Sequence, residues 1–193
     1  MRNRGFTLAE TLVYLGLAAL LLSVVLGLYT SSTKFTRITS IQNELKQETT
    51  IINQRLGKSL MRSGQDGVYV SQDTSHLVVQ EIVAADVDGN SVWDSKCTLY
   101  WLSGDRLMTG TYPVTGSPQF WDQPGLDAAL QWLSDNKKQK VLSHLVSGFV
   151  LAQDKNNKQE LQITITLRKD VNSDRWLSQK TSKTFFLTSE TEL

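Results

Sequence analysis

The sequence predicts an α+β fold in which a long N-terminal helix packs on an antiparallel β-sheet. Three observations carry that expectation: an uncharged apolar run near the N-terminus, an apolar stripe at helical spacing after it, and strict apolar/polar alternation late in the chain. Thr11–Tyr29 reads TLVYLGLAALLLSVVLGLY, 19 residues without a charge, and from Phe6 to Thr33 the one acidic or basic side chain is Glu10. A bilayer core roughly 30 Å thick is crossed by about 20 helical residues, so the run is long enough to span it. It is also apolar on every face, unlike a surface helix of a soluble domain.

The helix is expected to continue beyond the run. Phe35, Ile38, Ile41, Leu45, Thr49, Ile52, Leu56 and Leu60 recur at intervals of three or four, with Lys34, Arg37, Lys46, Arg55, Lys58 and Arg62 on other faces. Gly64 after Ser63 signals a C-cap. A helix from Phe6 to Arg62 has 57 residues and a length of ~85 Å at about 1.5 Å per residue. A coiled coil is one way to bury the stripe; cover by the chain's own C-terminal residues is the simpler one. Gly57-Lys58-Ser59 resembles the end of a phosphate-binding loop, but Ile52 stands where that loop requires glycine, so the segment reads as helix.

The remainder reads mostly as strands. His76–Val83 is rich in β-branched residues, and Cys97–Leu102 and Arg106–Tyr112 flank Ser103-Gly104-Asp105, a hairpin signal. Phe149–Gln153, the alternating Leu161–Leu167 and Lys183–Thr188 complete the set, with Leu126–Leu133 as a short helix between them. The segments are therefore 1–5, a basic leader; 6–33, an apolar half-helix; 34–63, an amphipathic half-helix; and 64–193, an antiparallel β-rich head.

Composition narrows the function classes. The 20 Lys+Arg balance 19 Asp+Glu for a net charge of +1, and the mean hydropathy is −0.23. That balance argues against a dedicated nucleic-acid binder, which needs a basic surface. The average conceals three regions: +1 over 1–33, +4 over 34–62 from six basic and two acidic residues, and −4 over 63–193 from 12 basic and 16 acidic. With Cys97 the lone cysteine, neither an internal disulfide nor a cysteine-based zinc site can form.

The N-terminus admits several targeting readings. Arg2 and Arg4 fit the basic region of a secretory signal, with Val25-Leu26-Gly27 as a weak cleavage site, but the apolar run is long and Glu10 interrupts its start. A lipoprotein signal fails because no cysteine follows the run, and a plain signal anchor leaves Glu10 unexplained. A carboxylate at the centre of a membrane helix costs on the order of 2.5–3.5 kcal/mol, and less near its end.

Met1-Arg-Asn-Arg-Gly5-Phe6-Thr-Leu-Ala-Glu10 resembles the class III signal of type IV prepilins and pseudopilins. Gly5, Phe6 and Glu10 match that family's motif residue by residue. The resemblance implies cleavage by prepilin peptidase between Gly5 and Phe6 and N-methylation of the Phe6 amine. It further implies a single-pass protein of the inner (cytoplasmic) membrane, its head extracytoplasmic, that enters a filament. Its partners are then other pilin or pseudopilin subunits, met through the N-terminal helix, and an inner-membrane assembly platform. In a bundle of such helices the Glu10 carboxylate can neutralise a neighbour's terminal amine, rewarding correct axial register. The alternative is that Glu10 sits at the membrane interface, partnered by head groups or Arg4. The head loosely resembles minor pilins of the PilW/PpdB type and J-type minor pseudopilins of type II secretion, which implies a type IV pilin-like fold and a low-copy subunit aiding assembly at the filament tip.

Within the head, Asp86-Val-Asp88-Gly-Asn90-Ser-Val-Trp-Asp94 gathers three carboxylates and an amide. Calcium takes six to eight oxygens, but the EF-hand glycine and final glutamate are out of place, so a solvated turn competes with a calcium loop. His76 and His144 are isolated and read as partly buried structural residues. No catalytic residue, metal ligand or cofactor is expected, because no nucleophile elbow, His-Glu-x-x-His helix or Cys/His cluster occurs. Trp93, Trp101, Trp121, Trp132 and Trp176 are read as core, or in part as a contact patch.

Overall fold

The computed structural model describes residues 7–116, 118, 121–153, 159–172 and 174–187. The chain forms two compact units, Met1–Gln42 and Asn43–Leu193. One helix, α1, runs Leu8–Met61. The second unit adds β1 (Val68–Val70), β2 (His76–Ala85), β3 (Ser91–Ser103), β4 (Arg106–Pro113), α2 (Gln123–Asp135), β5 (Gln139–Ser143), β6 (Val146–Gln153), β7 (Glu160–Asn172) and β8 (Arg175–Phe186). The α+β class is as the periodicities predict.

In the second unit the strands form two antiparallel sheets instead of the single one expected, a five-stranded sheet ordered β1-β2-β3-β4-β5 and a three-stranded sheet ordered β6-β7-β8. The larger sheet is covered on both faces. Cys97, Leu99 and Trp101 point with Val78 toward Leu126, Ala129 and Leu133 of α2. The intervening residues face α1, where Tyr100 Oη lies 3.2 Å from Ser59 Oγ. Gly110 permits the close approach of α2, since a Cβ there would stand 2.7 Å from Leu133 Cδ1. Asp122 caps α2 by accepting from the Gly125 N–H at 2.8 Å, with Pro124 in the first turn.

The smaller sheet buries Leu161, Ile163, Ile165 and Leu167, the apolar set of the alternating segment. Phe185 of β8 joins them, 3.3 Å from where a Cβ on Gly57 of α1 would stand. Lys169 of β7 pairs with Glu44 of α1. The Leu151 N–H of β6 donates to Thr74 O at 3.2 Å, tying the smaller sheet to the loop between β1 and β2.

Several boundaries differ from expectation, each for a physical reason. Leu45, Ile52, Leu56 and Leu60 are buried in the second unit, and Ile41 is also buried, but Phe35 stays 70% exposed, because the stripe's periodicity begins before its cover does. Gly64 has φ −68 and starts a 3-10 turn over Gln65–Gly67, so it is no left-handed C-cap; the Ile82 N–H, at 2.7 Å, satisfies the Arg62 carbonyl instead. The β3–β4 hairpin forms where expected, with Gly104 at φ +62 in a two-residue loop between the paired Ser103 and Arg106. The short β1 and β5 carried too little pattern to foresee, and the last strand is longer than Lys183–Thr188; Thr188 lies outside the described residues.

Candidate functional site: the N-terminal helix and its first turn

Gly5 and Phe6 lie outside the described residues, so the first turn of α1 is where the predicted site becomes visible. Thr7 is the residue before the helix and Glu10 lies three positions on. The Thr7 N–H donates to Glu10 Oε2 at 3.0 Å, and the Thr7 hydroxyl lies 3.1 Å from the same oxygen. The Glu10 N–H reaches Thr7 Oγ1 at 3.3 Å. This is a capping box, in which a hydroxyl residue and a glutamate three positions later satisfy each other's free backbone donors. Thr7 adds to the expected site residues, and its signal, Thr-x-x-Glu before an apolar run, is present in the sequence.

From this turn onward α1 is long and apolar enough to cross a membrane. Leu12, Leu15, Leu20, Leu21, Leu22 and Leu28 are each more than half exposed in the chain. Water is a poor solvent for such a surface; lipid or a bundle of like helices is a good one. The hydroxyls within the run agree with an apolar surrounding. Thr11 donates to Leu8 O at 2.8 Å, Ser23 to Leu20 O at 2.8 Å and Thr30 to Gly27 O at 3.0 Å. Each is satisfied inside its own helix, so its transfer into hydrocarbon strands no hydrogen bond.

The head offers less chemistry. Asp86 accepts from Asp88 N at 2.9 Å, Asn90 N at 2.8 Å and Asn90 Nδ2 at 3.1 Å. Its carboxyl is held below its ordinary range, first by the Asn90 side chain and then by the Asn90 backbone. The carboxylate is thereby committed to closing the β2–β3 turn, with Gly89 at φ +85. Among the described residues no three His, Cys, Asp or Glu converge in a way that could hold a metal ion.

His76 is half-buried, as expected, but His144 is exposed in the β5–β6 turn, its side chain directed outward while Ser143 and Val146 on either side are buried. His76 has company the sequence did not announce. Its Nδ1 lies 2.6 Å from Ser75 Oγ and 3.6 Å from Asp73 Oδ1, while Asp73 accepts from the hydroxyls of Ser71 and Ser75. Those two hydroxyls, Ser71 first, drive the Asp73 carboxyl well below its ordinary range. Here the carboxylate bonds the serines and leaves the imidazole as an adjacent partner, an order that braces the turn.

Of the tryptophans, Trp101 belongs to the core, Trp121 and Trp132 stand edge-on to Tyr112 beside it, and Trp176 is 55% exposed. Cys97 is buried beneath α2, and that burial pushes its thiol up to about 12. A thiol above its unfolded value withholds thiolate until the pH approaches 12, so Cys97 is expected to resist iodoacetamide at pH 8 in the folded protein and react on unfolding. Equal alkylation rates in the two states would contradict this placement. Comparison with protein-family models, curated proteins and solved structures finds no match to the chain.

Proposed function

We propose that the chain is a minor pilin or pseudopilin, cut by prepilin peptidase between Gly5 and Phe6, methylated on Phe6, and taken as a low-copy subunit into a type IV pilus or type II secretion pseudopilus. The observation that carries this reading is the run Gly5-Phe6-Thr7-Leu8-Ala9-Glu10 leading directly into an apolar helix that the chain leaves uncovered. A compact α+β head behind such a helix supports it. The bilayer stores the helix, and assembly moves it into a bundle where packing replaces lipid contact. After cleavage the chain keeps 18 basic and 19 acidic side chains, so its net charge becomes −1. The head adjoins the filament's outer surface in this reading, and no enzymatic role is assigned to it.

One observation favours a second reading, a signal-anchored extracytoplasmic binding domain or enzyme with no filament role. The capping box gives Glu10 a local purpose that any membrane anchor could use. Mass spectrometry of the mature N-terminus separates the two. A methylated Phe6 is the expected result; an intact Met1 or a terminus created after Gly27 would overturn the filament reading in favour of the anchor.

A further inference from the structure

Among the described residues the two sheets of the second unit have four edge strands, β1, β5, β6 and β8. At 12 residues β8 is the longest of them. It pairs residue for residue with β7 from Trp176↔Asp170 to Phe186↔Glu160, with no bulge in its own length and no proline. Among the described residues no strand pairs with its other side, which runs ~40 Å at about 3.3 Å per residue, a template for another strand.

Two features distinguish this edge from one that is merely exposed. Among the described residues of the second unit, the aromatic side chains exposed by more than half are Trp176 at 55% and Phe186 at 74%, and both lie on β8. They fall on the same face, ten residues apart, near the two ends of the strand. The Arg168 guanidinium covers one side of the Trp176 ring at 4.2 Å and leaves the rest open. Secondly, the charges of β8 are Arg175, Lys180 and Lys183, with no acidic residue.

Lysine on an edge strand ordinarily guards against pairing with copies of itself. That guard is selective, because like charges directly opposite repel while opposite charges attract. Among the described residues no edge strand supplies the complement: β1 and β6 are uncharged, and β5 and β8 carry basic residues alone. A second copy is therefore a poor occupant. We propose that β8 is an acceptor edge for strand addition, taking an extended acidic segment of a different polypeptide between the Trp176 and Phe186 anchors. The inference stands apart from the filament reading and would hold for an anchored binding domain as well.

The test uses the full chain in uncharged detergent micelles and two extended peptides, one alternating glutamate with valine and one alternating lysine with valine. Amide hydrogen exchange is followed across all four edges. The glutamate peptide is expected to slow exchange in β8 by about tenfold and to leave β1, β5 and β6 unchanged. The effect should vanish when alternate peptide nitrogens are methylated, and should fall in the double variant Lys180→Glu, Lys183→Glu, whose substituted side chains are exposed. Equal protection by the lysine peptide, protection at another edge, or an undiminished response from the N-methylated peptide would each overturn the proposal.

Discussion

Glu10→Ala is expected to leave the chain inserted in the membrane and cut after Gly5, yet to lower its recovery in sheared filaments by more than about tenfold. In a helical bundle, deletion of one partner of a buried ion pair strands the other and costs on the order of 3–5 kcal/mol, far more than the pair itself contributes. The capping box complicates a simple reading of that variant, because Glu10 also holds Thr7. Two further substitutions separate the roles. Glutamine serves in a capping box nearly as well as glutamate, so Glu10→Gln retains the cap and loses the charge. Thr7→Ala does the reverse, at a cost of about 0.5–2 kcal/mol in helix stability. If the charge matters, Gln at this position fails as badly as Ala, and Thr7→Ala assembles. Normal filaments from Glu10→Gln would reduce Glu10 to a helix cap and remove the amine-pairing role.

Gly67→Ala is expected to be among the most damaging single-methyl substitutions in the head. A Cβ at Gly67 would lie 2.4 Å from the Gln80 carbonyl oxygen and 2.5 Å from Trp93 Cζ3. A side chain can swing aside, but the carbonyl belongs to β2 and cannot move alone. Gln80 is buried, and its Nε2 donates to Asp94 O at 2.8 Å and Gly116 O at 3.1 Å. Displacing β2 therefore strains β3 and the loop after β4 as well. Overpacking costs typically about 1–3 kcal/mol and more where backbone is involved. At the upper end that lowers the midpoint of thermal unfolding by roughly 6–12 °C for a head of this size. A shift smaller than about 2 °C in a calorimetric scan would mean that the turn before β1 yields easily, contrary to this packing.

The parts of the molecule that were legible from sequence share one property: their signal is periodic or local. The uncharged run, the stripe from Ile41 to Leu60 and the alternation of Leu161, Ile163, Ile165 and Leu167 each repeat enough times to declare which face is buried. The Gly104-Asp105 turn and the Thr7–Glu10 cap are set by residues within four positions of one another, although in the second the charge of Glu10 masks its role as a cap.

What the tertiary structure decided are the pairings between distant residues. Whether β4 ends its run of neighbours at β5 or continues to β6 depends on a register shift and a turn at Ser143–Val146, not on hydrophobic pattern, and this choice splits one expected sheet into two. The stripe on α1 announces that it needs cover but not where the cover begins, so Phe35 is exposed and Leu45 is buried in an unbroken helix. The Ser71–Asp73–Ser75–His76 cluster and the steric demand at Gly67 likewise follow from contacts made only after the strands align. By itself the sequence determined an apolar N-terminal helix with a single carboxylate near its start, an α+β head, and the unequal charge of its three segments. Periodicity and local hydrogen bonding are written along the chain; sheet membership, edge exposure and close approach arise only when residues far apart in sequence compete for the same space.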